Sequence, residues 1–333
     1  MHEIDFLPVG DGQDSGDAIA LRFVRPDTGG WAHVIVDAGF QDDGQALVAH
    51  VKAYYDTDEI DLAILTHPDG DHIGGMGEVV RGLNVNKLWL HDIGSHGGSS
   101  LPAAKAVDDL IAVATARGTQ VYEVWAGAQA FGGALTILGP DGAYYNQLVV
   151  EQVEGPGAVA AAAKALVEAA RGLFDRIATG LGLEVSFAEE EVTPRNNTSL
   201  ITLLAVDGKR LLLTGDAGVP ALERAWDFAE GVGLDAIPDF VQIPHHGSRR
   251  NASSAWLDRL LGSTGQPESR TAFVSVVPNS EKHPSGKVIN AYKRRGCEVV
   301  ATAGKPICDH NGTPTRAGWV KATPVGPMIE EDD

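Results

Sequence analysis

Six consecutive residues, His67-Pro68-Asp69-Gly70-Asp71-His72, constrain this chain more than any other feature of it. Four metal-capable side chains fall within that stretch. The apolar run Asp61-Leu62-Ala63-Ile64-Leu65-Thr66 delivers the chain directly into it. Such a run reads as a buried strand, and a strand ending in a tight Pro/Gly turn aims alternate side chains into one pocket. Imidazole and carboxylate together suit zinc, manganese or iron(II), because the set mixes borderline nitrogen with hard oxygen. Calcium fits less well, since the loop lacks the twelve-residue EF-hand spacing. A polar turn capping a helix from Ile73 would account for any one of these residues, but not for four in six positions.

Two further strand ends carry donors. The run Arg210–Leu213 leads into Thr214-Gly215-Asp216, and Phe240–Pro244 leads into His245-His246-Gly247-Ser248. A single Asp after Gly is usually a turn residue, and a single His is usually a bystander. Three donor-bearing strand ends in one chain predict a shared site.

The rest of the chain alternates strands and helices in two rounds. Strands are expected at Ile4–Val9, Ala18–Val24, Trp31–Val36, Val85–His91, Ser199–Val206, Thr271–Val277 and Glu298–Thr302. Helices are expected from about Asp43 to Asp56, at Ala103–Arg117 and near Pro220–Ala229. Between them, residues 140–195 read as a helical insertion. Its alanine-rich part, Gly155–Leu181, carries Leu166, Ala170, Phe174, Ile177 and Leu181 on one face and leads to the acidic run Glu189-Glu190-Glu191. A core helix, a cap over a site and a dimer contact all fit that pattern. No linker separates the two rounds, so one α/β domain spanning 1–333, with the insertion inside it, is the expected organisation.

Charge narrows the partners. The chain has 26 basic and 45 acidic residues, a net charge of -19, which argues against indiscriminate nucleic-acid binding over the whole surface. Nine of the basic residues but only three of the acids lie in 245–295, leaving 17 and 42 elsewhere. That asymmetry points weakly to one anion-handling surface. No apolar run approaches the ~18–20 residues that span a bilayer, so no membrane partner is expected. The start, Met1-His2-Glu3-Ile4-Asp5, does not read as a secretory signal, and Cys297 and Cys308 form no disulfide framework. The expected location is cytoplasmic.

The motifs resemble the metallo-β-lactamase-fold superfamily, and within it the branch of ComEC-like nuclease domains and related phosphodiesterases. The segments that carry the likeness are Val36-Asp37-Ala38-Gly39, Thr66 to Gly75, Asn196-Asn197-Thr198-Ser199-Leu200, Leu212 to Asp216 and Ile243 to Ser248, in family order. The resemblance implies an αββα sandwich with a dinuclear site at one edge, holding two divalent ions, zinc or manganese. His67 and Asp69 would serve one ion and Asp71 and His72 the other. Asp216 would bridge them, and His245 or His246 would complete the ligands of the second ion. Asp37 would orient the first motif. The chain departs from the broad superfamily at Asp69, where many members carry His. It departs again at the third motif, where Asn196 or Asn197 stands in the neighbourhood of a missing histidine. Both departures are shared by the ComEC-like branch.

The chemistry expected of such a site is hydrolysis of a phosphodiester by a metal-bridging hydroxide, with ions roughly 3.5–4 Å apart. Asp71 is a candidate to hold the water's proton. Whichever of His245 and His246 is not a ligand is a candidate to meet the scissile phosphate. His283, in His283-Pro284-Ser285, is a further candidate for phosphate or leaving-group contact. Ser248, Arg249 and Arg250 are candidate phosphate binders, and His91 reads as a structural histidine near the pocket. The leading reading is a nuclease acting on DNA or RNA, with Lys293-Arg294-Arg295 as an extended phosphate track. The alternative is a hydrolase of a small phosphoester or cyclic-nucleotide signal. The sequence carries no signal for oligomeric state.

Overall fold

The structure, a computed structural model, describes residues 1–10, 12–155 and 192–330. The alanine-rich stretch and the acidic run Glu189–Glu191 therefore fall, apart from Gly155, outside the described residues. Two seven-stranded sheets form the centre. In spatial order the first is β14 (Ile307–Asn311), β1 (His2–Phe6), β2 (Ala18–Val24), β3 (Trp31–Ala38), β4 (Glu59–Ile64), β5 (Asn84–Leu90) and β6 (Gln120–Glu123). The second is β13 (Cys297–Ala301), β12 (Arg270–Val274), β11 (Phe240–Gln242), β10 (Lys209–Leu213), β9 (Ile201–Val206), β8 (Leu135–Gly139) and β7 (Gln129–Ala130). Each sheet is half antiparallel and half parallel: β3 to β6 run parallel in the first, and β10 to β13 in the second.

Strand alternation decides the layers. Val34 and Val36 of β3, Leu62 and Ile64 of β4, and Leu211 and Leu213 of β10 face a core between the sheets. Phe6, Phe240 and Phe273 meet in that core, with ring centroids 5.0–5.9 Å apart. The intervening residues face outward, where helices cover them. Ile35, Ala63 and Leu65 pack under α1 (Gln41–His50), α3 (Met76–Gly82) and α4 (Pro102–Ala116), which follow the short α2 (Gly70–Ile73) and precede α5 (Gly142–Glu154). Leu212, Val241 and Ala272 pack under α6 (Val219–Gly231), α7 (Ser254–Leu261) and α8 (Gly286–Arg294). The result is an αββα sandwich. Helix α5 joins the two outer cores, since Tyr144 and Leu148 lie in one and Tyr145 and Val149 in the other. The helix expected at 43–56 ends sooner, at His50, and passes into a π-helical turn over Val51–Tyr55.

The segment after β14 folds back onto β1. Arg316 donates to both oxygens of the fully buried Asp5 (2.7 and 2.8 Å) and to Glu3 Oε2 (2.7 Å). The Tyr55 hydroxyl donates to Asp5 Oδ2 (2.7 Å), and His50 Nε2 lies 3.2 Å from the same oxygen. Burial pushes the Asp5 carboxyl up, but His50 and Arg316 together hold it down at about 2, against an ordinary 3.8. A carboxylate depressed on folding stabilises the fold above its unfolded value and loses that contribution as pH falls through the folded one. The protein is therefore expected to lose about 2 kcal/mol of stability through this group between pH 4 and pH 2. Denaturant titrations at stepped pH check this, and Asp5→Asn is expected to flatten the slope in that window.

Candidate metal centre

Every donor singled out in the sequence arrives at the C-terminal end of a parallel strand. Asp37 is the penultimate residue of β3, His67 to His72 follow β4, Asp216 follows β10, and His245 and His246 follow β11. These ends meet at one edge of the sandwich, the usual place for a site in parallel α/β sheets. Two successive residues of an extended strand point to opposite faces. His245 and His246 escape this because both adopt left-handed backbone (φ 47° and 56°), followed by Gly247 at φ 79°. Each non-glycine residue held there costs on the order of 1–3 kcal/mol. The strain brings both rings into the same cleft, with centroids 5.8 Å apart.

The donors sort into two sets that share Asp216. In the first, His67 Nε2 lies 3.6 Å from Asp69 Oδ2 and 3.8 Å from Asp216 Oδ2, and His245 Nε2 lies 3.6 Å from that same Asp216 oxygen. In the second, His72 Nε2 lies 3.5 Å from Asp216 Oδ1 and 3.8 Å from Asp71 Oδ2. His246 Nε2 lies 3.6 Å from Asp71 Oδ2 and 4.0 Å from Asp216 Oδ1. These separations are too long for hydrogen bonds. They suit donors around a tetrahedral ion, which lie roughly 3.3–3.6 Å apart when bonds are ~2.0–2.2 Å. By distance, His246 lies with Asp71 and His72, while His245 lies with His67 and Asp69. Neither is left over.

All four rings are tethered through Nδ1, which leaves Nε2 as the free lone pair. His72 Nδ1 donates to Asp37 Oδ2 (2.7 Å), and Asp37 in turn accepts from Thr66 N (2.8 Å) and Thr66 Oγ1 (2.6 Å). Because that hydroxyl spends its proton on Asp37, it accepts from His67 Nδ1 (3.0 Å). His246 Nδ1 donates to the Ser275 carbonyl (3.0 Å). His245 Nδ1 donates to Asn251 Oδ1 (3.0 Å), and the Asn251 amide is oriented by donating to the Asp216 and Ala217 carbonyls (2.8 and 3.2 Å).

The donor set fits a metal ion on one observation above all. Among the described residues, Nε2 of His67, His72 and His246 and Oδ1 of Asp216 are buried with no hydrogen-bond partner. A buried polar atom without a partner costs about 1–3 kcal/mol, and here four point at one another. Burial opposes charge on Asp216, His72 and His246, yet their mutual attraction overrides it. Asp216 is held well below the carboxylate range by His245, His72 and His246. His72 is raised well above its ordinary value by Asp216 and Asp37, and His246 is raised to about 9 by Asp216 and Asp71. The site is built for positive charge.

A cleft of about 360 Å³ opens onto the centre, lined by Gln13, Asp14, Ser15, Phe40, Gly70, Asp71, His245, His246, Lys282 and His283. His283 is therefore where the sequence expected it. Its ring lies 5.7 Å from that of His245, and burial with the nearby His245 and His246 pushes it down to about 4, so it is uncharged at neutral pH. The other expected contacts sit elsewhere. Asn196 stands beside the His245 ring (Nδ2 to Nδ1, 3.3 Å), and Asn197 Oδ1 accepts from Gly218 N (3.0 Å), bracing the turn after Asp216. Ser248 is buried and its hydroxyl accepts from Arg250 N (3.3 Å), and neither Ser248 nor Arg249 lines the cleft. His91 is buried, donates to the Val124 carbonyl (2.7 Å) and stacks on Trp125, a structural histidine.

The cations of the expected phosphate track are engaged by other groups of the chain. Arg295 is fully buried on Asp258 (2.9 Å), Arg294 pairs with Glu330, and Lys293 donates to the Val325 carbonyl (2.5 Å). Of the other cations in 245–295, Arg259 binds Asp227 and Glu230, Arg270 binds the Arg295 carbonyl, and Lys282 lies 4.0 Å from Asp14. Arg249, Arg250 and Lys287 have partners as well.

Three residues escaped the sequence reading. Asp17 is fully buried and accepts from Gln242 Nε2 (2.8 Å), while Gln242 Oε1 accepts from Thr214 N and Gly215 N (2.9 and 3.1 Å). This pair ties the Gly10–Asp17 loop to the turn before Asp216. A Cβ at Gly16 would meet the Asp71 carbonyl at 2.3 Å, so only glycine lets that loop lie against the donor segment. The third is Arg195, whose Nη1 donates to Asp69 Oδ1 (2.7 Å). The Gly-Asp pair at 16–17 and a lone Gln in an apolar strand were the available signals for the first two. Arg195 carried none.

The chain is 27% identical over 120 residues to ComE operon protein 3 of Bacillus subtilis (strain 168), a span of 36% of this chain and 13% of that protein. Among solved structures, the metallo-beta-lactamase fold protein YhfI from Bacillus subtilis is 10% identical, with a TM-score of 0.46 over 93% of this chain and all of that one. A putative metallo-beta-lactamase from Thermotoga maritima is 11% identical, with a TM-score of 0.36 over 70% of this chain and 93% of that one. No helix among the described residues is long and apolar enough to cross a membrane. The model of the metallo-beta-lactamase superfamily matches residues 23–263, well over half of the chain, and the protein belongs to that superfamily, whose members are mostly metal-dependent hydrolases.

Proposed function

We propose that the protein is a metal-dependent phosphodiesterase whose two donor sets hold two divalent ions, zinc or manganese. The observation that supports this reading is the convergence of four Nδ1-tethered imidazoles and three carboxylates on two sites sharing Asp216. Divalent ions so held supply Lewis acidity toward a phosphoryl oxygen and a water acidic enough to react at neutral pH. Asp216 sets the spacing of the two sites by offering one oxygen to each. Asp71 lines the cleft and is held ionised against burial by His246 and His72, so it can accept a hydrogen bond from a water and orient it. His283, uncharged, offers a hydrogen bond to a phosphate oxygen or leaving group, and Lys282 brings a positive charge to the mouth.

A small phosphodiester, such as a cyclic nucleotide, is the substrate class that best suits the surface. The cations of 245–295 are engaged within the chain, and the cleft falls in the ~300–1,000 Å³ range of small-molecule pockets. The nuclease reading keeps the support of the ComEC-like motifs. Turnover of bis-p-nitrophenyl phosphate, single- and double-stranded DNA, RNA and cyclic nucleotides, each with Mn or Zn, separates the two. Hydrolysis of the small diesters without the polymers is expected. Efficient cleavage of DNA or RNA restores the nuclease, and no phosphoester turnover with either metal sinks the proposal.

Two predictions concern the centre itself. Asp37→Asn removes the anionic acceptor of His72 Nδ1–H and is expected to weaken metal binding by about 10–100-fold. Equilibrium dialysis with metal analysis measures the loss. The second concerns pH. His246 in the metal-free protein holds a proton below about 9, and a metal must displace it. Metal affinity is therefore expected to rise as pH climbs toward 9, with proton release seen as a buffer-dependent heat in calorimetry. A heat independent of buffer at pH 7 contradicts the role of His246 as a donor.

A further inference from the structure

Resting on the two-set reading of the centre, we infer that the segment Arg195–Ser199 is the positioning element of the first donor set, with Arg195 as the tether of Asp69. Each imidazole of the centre is fixed through its second ring nitrogen. Asp69 has none, and the corresponding function falls to Arg195, whose Nη1 takes Oδ1 at 2.7 Å and leaves Oδ2 facing His67 Nε2 at 3.6 Å. A carboxylate with one oxygen so occupied is a one-oxygen donor of defined direction, and its charge is offset locally. The guanidinium meets Asp69 through Nη1, while its Nε is buried without a partner among the described residues.

The neighbouring residues address the rest of the same set. Asn196 Nδ2 lies 3.3 Å from His245 Nδ1, and Ser199 Oγ lies 3.4 Å from His67 Nδ1. Ser199 Oγ also accepts from Asp216 N at 3.2 Å. One short turn, held by the Thr198 hydroxyl on the Arg195 carbonyl (2.6 Å), thus touches all four residues of the first set. The second set has a different support, Asp37 behind His72 and the Ser275 carbonyl behind His246. The two sets share Asp216 and the Thr66 hydroxyl that joins His67 to Asp37, but Arg195 hydrogen-bonds a donor of the first set alone.

The test measures Mn and Zn stoichiometry and affinity by dialysis and calorimetry, not turnover. Arg195→Gln is expected to weaken one of two bound ions by about 10–100-fold and leave the other unchanged. Arg195→Lys, which keeps a single donor and the charge, should fall between it and the wild type. Asp69→His supplies an imidazole that needs no guanidinium, so adding Arg195→Gln to it should change affinity no further. A merely structural Arg195 would give the same loss in both backgrounds, and that result overturns the inference. So does a wild type with two ions matched by Arg195→Gln at equal affinity, which leaves the two-set reading standing. A folded wild type that binds fewer than two ions overturns the reading beneath it as well.

Discussion

A carboxylate with less than a twentieth of its surface exposed, at the seam between two sheets, governs this molecule. Asp216 faces His67 and His245 with one oxygen and His72 and His246 with the other. A charge in that position is costly unless opposite charge surrounds it. The protein answers with imidazoles, and those imidazoles come from both sheets. The ends of β4 and of β10 and β11 must therefore meet at this seam. The aromatic contacts of Phe6 with Phe240 and Phe273 join the two sheets.

The supports of the centre show the same economy. Thr66, Asn251 and Asn196 are not donors toward the cleft, yet each hydrogen-bonds or abuts a donor ring. The left-handed pair His245 and His246 stores strain that the surrounding ladder, including Ser285 N on the Gly247 carbonyl, must overdetermine. Rigidity of this kind favours a fixed arrangement of donor atoms over an adaptable one.

The surface separates local charge from available charge. The segment 245–295 is rich in Lys and Arg, but those side chains meet acids and carbonyls contributed by distant elements such as Glu330, Asp227 and Val325. A basic stretch of sequence is a statement about composition. Whether it becomes an electrostatic footprint depends on which acids the fold brings alongside. At the cleft itself, Lys282, on the same loop as His283, stands near Asp14.

Much of the molecule was legible in residue order. Strands such as Ala18–Val24 and the donor motifs around His67–His72, Asp216 and His245–His246 were readable because apolar period and local density are properties of neighbours in the chain. The αββα layers were what the resemblance carried by those motifs implied. Other features were not local. Strand β14, Ile307–Asn311, has a single large apolar residue and exists because it pairs with the buried β1. The sorting of His245 and His246 into different sets rests on a backbone twist that no residue type announces. Arg195 meets Asp69 across 126 positions, and Gln242 meets Asp17 across 225. Sequence alone determined which atoms are available to the site, because donor chemistry belongs to the side chain. Only the tertiary structure decided which of them face one another, because that depends on where the ends of separate strands come to lie.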